Sequence, residues 1–119
     1  MRNAEHHEQC AVVDYCTALS GRTPELALLY AIPNGGQRHI ATARKLKAEG
    51  VRPGVPDLHL PIPRGEYAGL WIEMKAGKNK PTSNQVWWHE RLQAHGHKVV
   101  VAYGAGQAIE AIEQYLVCK

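Results

Sequence analysis

The stretch "LWIEMK" (residues 70–75) is apolar enough for a core strand, yet it carries a carboxylate and a lysine two positions apart. Side chains alternate along a strand, so Leu70, Ile72 and Met74 share one face while Trp71, Glu73 and Lys75 share the other. Glu73 and Lys75 then lie roughly 6–7 Å apart along the strand, close enough to act on one small site. An exposed ion pair on a sheet face, worth little to stability, would explain the same tripeptide. The neighbouring segments decide between the two.

Around this strand, helical and strand-type patterns alternate. Residues 5–19 place Gln9, Val12, Val13, Cys16 and Leu19 at helical spacing until "SGRTP" stops the pattern. "LALLYAIP" (26–33) reads as a buried strand ended by a proline, and "NGGQ" (34–37) as a turn. Residues 38–49 read as a basic amphipathic helix closed by Gly50, with Ile40, Ala43, Leu46 and Lys47 near one face. "DLHLPI" (57–62) alternates, and "PRGEYAG" makes a hairpin-type connection to "LWIEMK". Thr82 with Gln85 forms a capping box, which opens a helix that runs to Gly96. Of the adjacent Trp87 and Trp88, at least one should be core, because neighbouring helical positions diverge by about 100°. "KVVVAY" (98–103) is a continuous apolar strand, followed by a helix with Ala108, Ile109, Ile112 and Leu116 inward. The order α-β-α-β-β-α-β-α implies an α/β fold, a mixed β-sheet flanked by helices. At 119 residues, a single domain over 1–119 is expected.

Several classes are set aside by composition. No apolar stretch approaches a membrane span, and the N-terminus lacks the apolar core of a signal peptide, so no membrane partner and a cytoplasmic setting are expected. Three cysteines, Cys10, Cys16 and Cys118, form no C-x-x-C pair, which fits a reducing compartment better than a disulfide framework or structural zinc. His89, His95 and His97 offer no stock zinc geometry. A phosphate-binding G-x-x-x-x-G-K-[ST] loop is absent, so no nucleotide cofactor is expected. Net charge is only +3, but residues 31–80 carry nine lysines and arginines against four acids. A basic middle suits a phosphate-backbone partner, and it also suits an ordinary solvated surface.

"GVPDLHL" sharpens the reading. If "DLHL" and "LWIEMK" pair as an antiparallel hairpin, Asp57 at the start of one strand meets Glu73 towards the end of the other. Carboxylates that close repel unless a cation sits between them. Hard oxygen ligands favour Mg²⁺ or Mn²⁺ over zinc. Such an ion polarises a phosphodiester and activates water, and Lys75 would orient that water or offset transition-state charge.

"PD" followed by "EMK" resembles the PD-(D/E)xK nuclease superfamily. The wider run of "EHHEQ", "AIPNGGQR", "GVRPGVPDLHL" and "GLWIEMKAGKNKPTSNQVWWHERLQAHGHKVVVAYG" resembles its VRR-NUC (virus-type replication-repair nuclease) family over nearly the whole chain, in the stand-alone phage or bacterial form. The resemblance implies a restriction-endonuclease-like core. It implies that Asp57, Glu73 and the Met74 carbonyl hold metal, that Lys75 is catalytic and that Gln85 supports the site. An acid of the first helix completes the set. Glu5 is preferred to Glu8 because it begins an E-x-x-x-Q pattern with Gln9. Successive glycines in "IPNGGQR" can turn N–H groups towards an anion, so Asn34, Gly35, Gly36 and Arg38 are candidates for phosphate contact, along with Lys78 and Lys80 after the catalytic strand.

The resulting expectation is a Mg²⁺- or Mn²⁺-dependent DNA endonuclease, acting on branched DNA as a homodimer in the manner of a Holliday-junction resolvase, within a bacterium or phage-infected host. The competing class is a non-catalytic DNA-binding subunit that keeps the fold.

Overall fold

A computed structural model describes residues 3–33 and 40–119. Asn34, Gly35, Gly36 and Arg38, the expected phosphate contacts, lie outside the described residues. Helix α1 (Asn3–Leu19) leads through a 3₁₀ turn (Pro24–Leu28) to β1 (Tyr30–Ala31). Then come α2 (Ile40–Ala48), β2 (Leu58–Leu60), β3 (Leu70–Lys75), α3 (Ser83–Ala94), β4 (Lys98–Tyr103) and α4 (Ala105–Leu116). The strands form one mixed sheet in the order β1-β2-β3-β4. Its first two pairings are antiparallel and its last, β3 with β4, is parallel. A parallel pair needs a long crossover, and α3 is that crossover.

The two faces of the sheet differ in chemistry. Leu58, Leu60, Leu70, Ile72 and Met74 meet Val12 and Cys16 of α1 and Ala108, Ile112 and Tyr115 of α4 in one apolar cluster. The alternate residues, His59, Trp71, Glu73 and Lys75, point to the opposite face, where α3 lies. This polar face carries the chemistry.

Two expectations are corrected. "LALLYAIP" is not a buried strand, since Pro24–Leu28 winds into a 3₁₀ turn and only Tyr30 and Ala31 pair, both exposed. Proline suits the first turn of a helix, and with β1 at the sheet edge only Leu26 of the run is fully buried. Val13, expected inward, is 37% exposed, because α1 presents only a narrow stripe through Val12 and Cys16. The α4 stripe lies as the periodicity requires, with Ala108 and Ile112 fully buried. Of the two tryptophans, Trp87 is exposed and Trp88 half-buried.

Candidate active site

The site forms where the β2–β3 ladder ends. Leu58 pairs with Ile72, so the register carries Asp57 opposite Glu73 and Pro56 opposite Met74. The Asp57 carbonyl turns to the other neighbour and accepts the Ile32 N–H at 2.8 Å. Its side chain turns back, and Oδ2 accepts the Met74 N–H at 2.7 Å. The N–H and C=O of a strand residue point to the same neighbour, so the Met74 carbonyl also faces this side. Pro56 has no N–H to give it. Asp57 is thereby fixed by the backbone of the strand that carries Glu73.

Glu73 is 1% exposed. Both its oxygens meet α3: Gln85 Nε2 donates to Oε2 at 3.1 Å, and His89 Nε2 stands 3.1 Å from Oε1. Gln85 and His89 are one helical turn apart, so a single face of α3 grips the carboxylate. The other end of Gln85 belongs to the capping box, where Oε1 accepts the Thr82 N–H at 2.8 Å while the Gln85 N–H donates to Thr82 Oγ1 at 3.3 Å. Helix cap and Glu73 partner are one side chain. Sequence reasoning considered His89 only for zinc and missed this contact. Its signal was the i, i+4 spacing from Gln85.

Burial is the main force on these acids. Desolvation, then the charge of Glu73, pushes the Asp57 carboxyl up from 3.8 to about 7. Desolvation also pushes Glu73 up from 4.5 to about 7, although the facing Asp57 carboxyl and the Lys75 charge pull the other way. The Glu5 charge adds to the rise of both, which places α1's first turn within electrostatic reach. His89 is shifted down by burial and by Lys75, with the Asp57 charge pulling the other way.

Glu8 is engaged elsewhere. Its Oε1 accepts the Ala105 N–H at 2.7 Å and so caps α4. One turn from Glu5, Gln9 has a buried Oε1 with no hydrogen-bond partner. Lys75 is buried beside Glu73 on the same strand face, whereas Lys78 and Lys80 are exposed in the following loop. That loop is pinned by Tyr103, whose hydroxyl donates to the Asn79 carbonyl at 2.8 Å. The loop leading to Asp57 is fastened to α3, because Trp88 Nε1 donates to the Pro53 carbonyl at 3.1 Å. Gly54, at φ +96°, packs so closely that a Cβ there would stand 2.8 Å from the Asn84 backbone.

His59, His95 and His97 lie apart from the carboxylates in other contacts or in solvent. His59 stacks on Trp71 at 3.8 Å between centroids, Trp71 Nε1 donates to His97 Nδ1 at 3.2 Å, and His95 is exposed. Among the described residues no three His, Cys, Asp or Glu side chains form a ready-made metal cluster, and no helix is long and apolar enough to cross a membrane. A cavity of about 560 Å³ between β4 and α4, lined by Tyr67, Lys98 and Gln107 among others, shares no residue with the carboxylates.

Comparison with known proteins gives the same picture of the fold. A solved structure described as a "VRR_NUC domain protein" superposes with a TM-score of 0.78 at 32% identity, covering 98% of this chain and 90% of that one. "Putative nuclease p44" of Acyrthosiphon pisum secondary endosymbiont phage 1 is 44% identical over 50 residues, which are 42% of this chain and 52% of that protein. The match thus spans about half the length of this curated relative. The model of the VRR-NUC domain matches residues 1–106, from the first helix through the start of the last, and the chain belongs to the VRR-NUC family.

Proposed function

We propose that this chain is a Mg²⁺- or Mn²⁺-dependent DNA endonuclease whose active site is the Asp57–Glu73–Lys75 cluster. The observation that carries the reading is the buried pair of facing carboxylates beside a buried lysine, in a chain of a nuclease-type family. Two carboxyls pushed up to about 7, both by burial and Asp57 also by the charge of Glu73, gain from a cation between them.

The donor set fits a hard divalent ion. Asp57 and Glu73 supply carboxylate oxygens, and the Met74 carbonyl faces the same side without a ladder donor from Pro56. Mg²⁺ keeps several waters and is commonly held by one or two carboxylates, so Asp57 and Glu73 are enough protein charge for it. Glu5, whose charge reaches both carboxyls, and the buried Gln9 Oε1 one turn on would accept hydrogen bonds from those waters. When bound, the ion would polarise the phosphodiester and make water a nucleophile near neutral pH.

The chain's own groups do the rest. Lys75 positions the attacking water and offsets the negative charge that builds on the phosphate. Gln85 and His89 hold Glu73 in one orientation, and the Met74 N–H does the same for Asp57. Exposed Lys78 and Lys80 neutralise phosphates of the strand being cut. In-line attack leaves a 5′-phosphate and a 3′-hydroxyl. For the substrate we favour branched DNA cut by a two-fold homodimer, because one small domain offers limited binding area and a dimer supplies two symmetric sites.

The test is cleavage of a labelled four-way junction beside linear duplex of matching sequence, in Mg²⁺, Mn²⁺ or EDTA, with Glu73→Ala in parallel. Paired symmetric nicks on the junction, lost in EDTA and in the variant, are expected. Cleavage confined to linear DNA would remove the branched substrate and keep the nuclease. Tight, metal-indifferent binding without cleavage would leave a DNA-binding subunit.

A further inference from the structure

The outer face of α3 carries a feature that neither the core nor the carboxylate site uses. Gln85 and His89 face Glu73, so Trp87, two positions on from Gln85, points about 200° round the helix and away from the sheet. Its indole is 49% exposed, and beside it Val86 is 41% exposed. Trp87 and Val86 together make an exposed apolar patch on this face, and the patch carries a positive charge on its ring. Arg91, one turn on, places its guanidinium 5.0 Å from the centroid of the Trp87 ring. Trp88 stands against the same ring edge-on, 5.5 Å away between centroids.

We infer that Trp87 and Arg91 form a stacking platform for an unpaired base of the DNA substrate. Charge complementarity selects this occupant. The guanidinium lies over the indole and puts a positive charge beside a base that stacks there. Arg52, Lys78 and Lys80 are exposed on the two loops that flank the start of α3, and Glu90 is an exposed acid on the helix itself. Base–aromatic stacking accepts any base, but the base must be free of its own stack. Duplex DNA cannot offer one, whereas an overhang, a flap or an open branch point can.

Geometry relates the platform to the cut. The helix is about 10 Å across, so its outer face is two or three nucleotides from Glu73 by a strand passing round it. The same helix is bonded to the loop that delivers Asp57, through Trp88 and Pro53. A base seated on Trp87 therefore registers the phosphate chain against both carboxylates at once. The platform is a specificity device for DNA with unpaired bases close to the cleaved bond. It rests on the DNA-nuclease reading.

Binding is measured by fluorescence anisotropy in EDTA, which separates it from chemistry. The probes are a labelled blunt duplex and the same duplex with a single-stranded extension. The proteins are wild type, Trp87→Phe, Trp87→Leu and Arg91→Gln, each checked for an unchanged melting curve and for oligomeric state by light scattering. Trp87→Leu should lose about tenfold in affinity for the extended duplex and little for the blunt one. Trp87→Phe should keep most of the affinity, and Arg91→Gln should weaken the extended duplex more than the blunt. Wild-type affinity in Trp87→Leu, or equal losses on both DNAs, overturns the inference. So does a dimer that becomes a monomer on Trp87→Leu, which would make this face a contact between copies. If wild type cleaves DNA with Mg²⁺ but binds independently of Trp87, only the platform fails. If wild type binds no DNA, the nuclease reading fails with it.

Discussion

Asp57→Asn should make the protein more stable at pH 8 while abolishing cleavage. Asn keeps the oxygen that accepts the Met74 N–H and turns an amide N–H₂ towards Glu73, so the change removes a charge and little else. Burial and Glu73 raise the Asp57 carboxyl from 3.8 to about 7, so its charged form is disfavoured in the folded state by at most about 4 kcal/mol at 1.36 kcal/mol per pH unit. Coupling to Glu73 and the cost of burying an amide reduce this to roughly 2 kcal/mol, or about 6–10 °C in melting temperature. The folded state holds this proton more tightly than the unfolded one. Stability is therefore lost as pH rises from about 4 to about 7, and is level above that. The advantage of Asn should be full at pH 8 and close to nothing at pH 4. His59, held down at about 4 by burial and His97, loses stability on the acid side in both proteins alike, so the difference between them isolates Asp57. The assay is thermal melting in EDTA from pH 4 to 8. A gap that does not change with pH, or a variant less stable at pH 8, would refute the argument from burial. Adding Mg²⁺ or Mn²⁺ at pH 8 should then raise the melting temperature of wild type and leave Asp57→Asn unmoved.

Other perturbations separate positioning from stability. His89→Leu removes one of the two α3 contacts to Glu73 and should slow single-turnover cleavage about 10- to 100-fold, with His89→Gln recovering part of it. Glu8→Ala uncaps α4 and should cost about 0.5–2 kcal/mol in a denaturant titration with cleavage retained, whereas Glu5→Gln should do the reverse. Gly54→Ala forces a Cβ to 2.8 Å from the Asn84 backbone at positive φ, so melting should show a loss of about 2–4 kcal/mol.

Much of this was legible in the sequence because the decisive signals were local. β3 and β4 have the bounds their apolar runs suggested, Leu70–Lys75 and Lys98–Tyr103, and the Thr82–Gln85 box opens α3. The antiparallel pairing that sets Asp57 opposite Glu73 followed from a short connection between alternating segments. What failed depended on tertiary context. An apolar run such as 26–33 has no periodicity to separate a strand from a 3₁₀ turn, and only the edge position of β1 decides it. That Glu8 reaches the start of α4 was likewise out of view, a contact between distant segments that no spacing reveals. His89 was hidden for the same reason. Its role depends on which face α3 turns to the sheet.

The carboxylate in the middle of a core strand has a physical account in how the neighbouring strand ends. A ladder that continued past Leu58 would bring a backbone N–H and C=O to Met74, closing the edge with ordinary pairing. Pro56 prevents this by lacking the donor, and Asp57 takes over the Met74 N–H with its side chain. One missing N–H thus leaves both a carboxylate and a carbonyl facing the same point, next to Glu73. The apolar face of the sheet, packed by α1 and α4, supplies the rigidity. The opposite face can then carry two acids that burial alone would neutralise. The fold tolerates the repulsion because α3 offers each oxygen of Glu73 a hydrogen-bond partner, and because a cation would remove the remainder. Under the proposed function the repulsion between these buried acids would be what a metal relieves, and a substitution that removes one charge should stabilise the chain and abolish cleavage together.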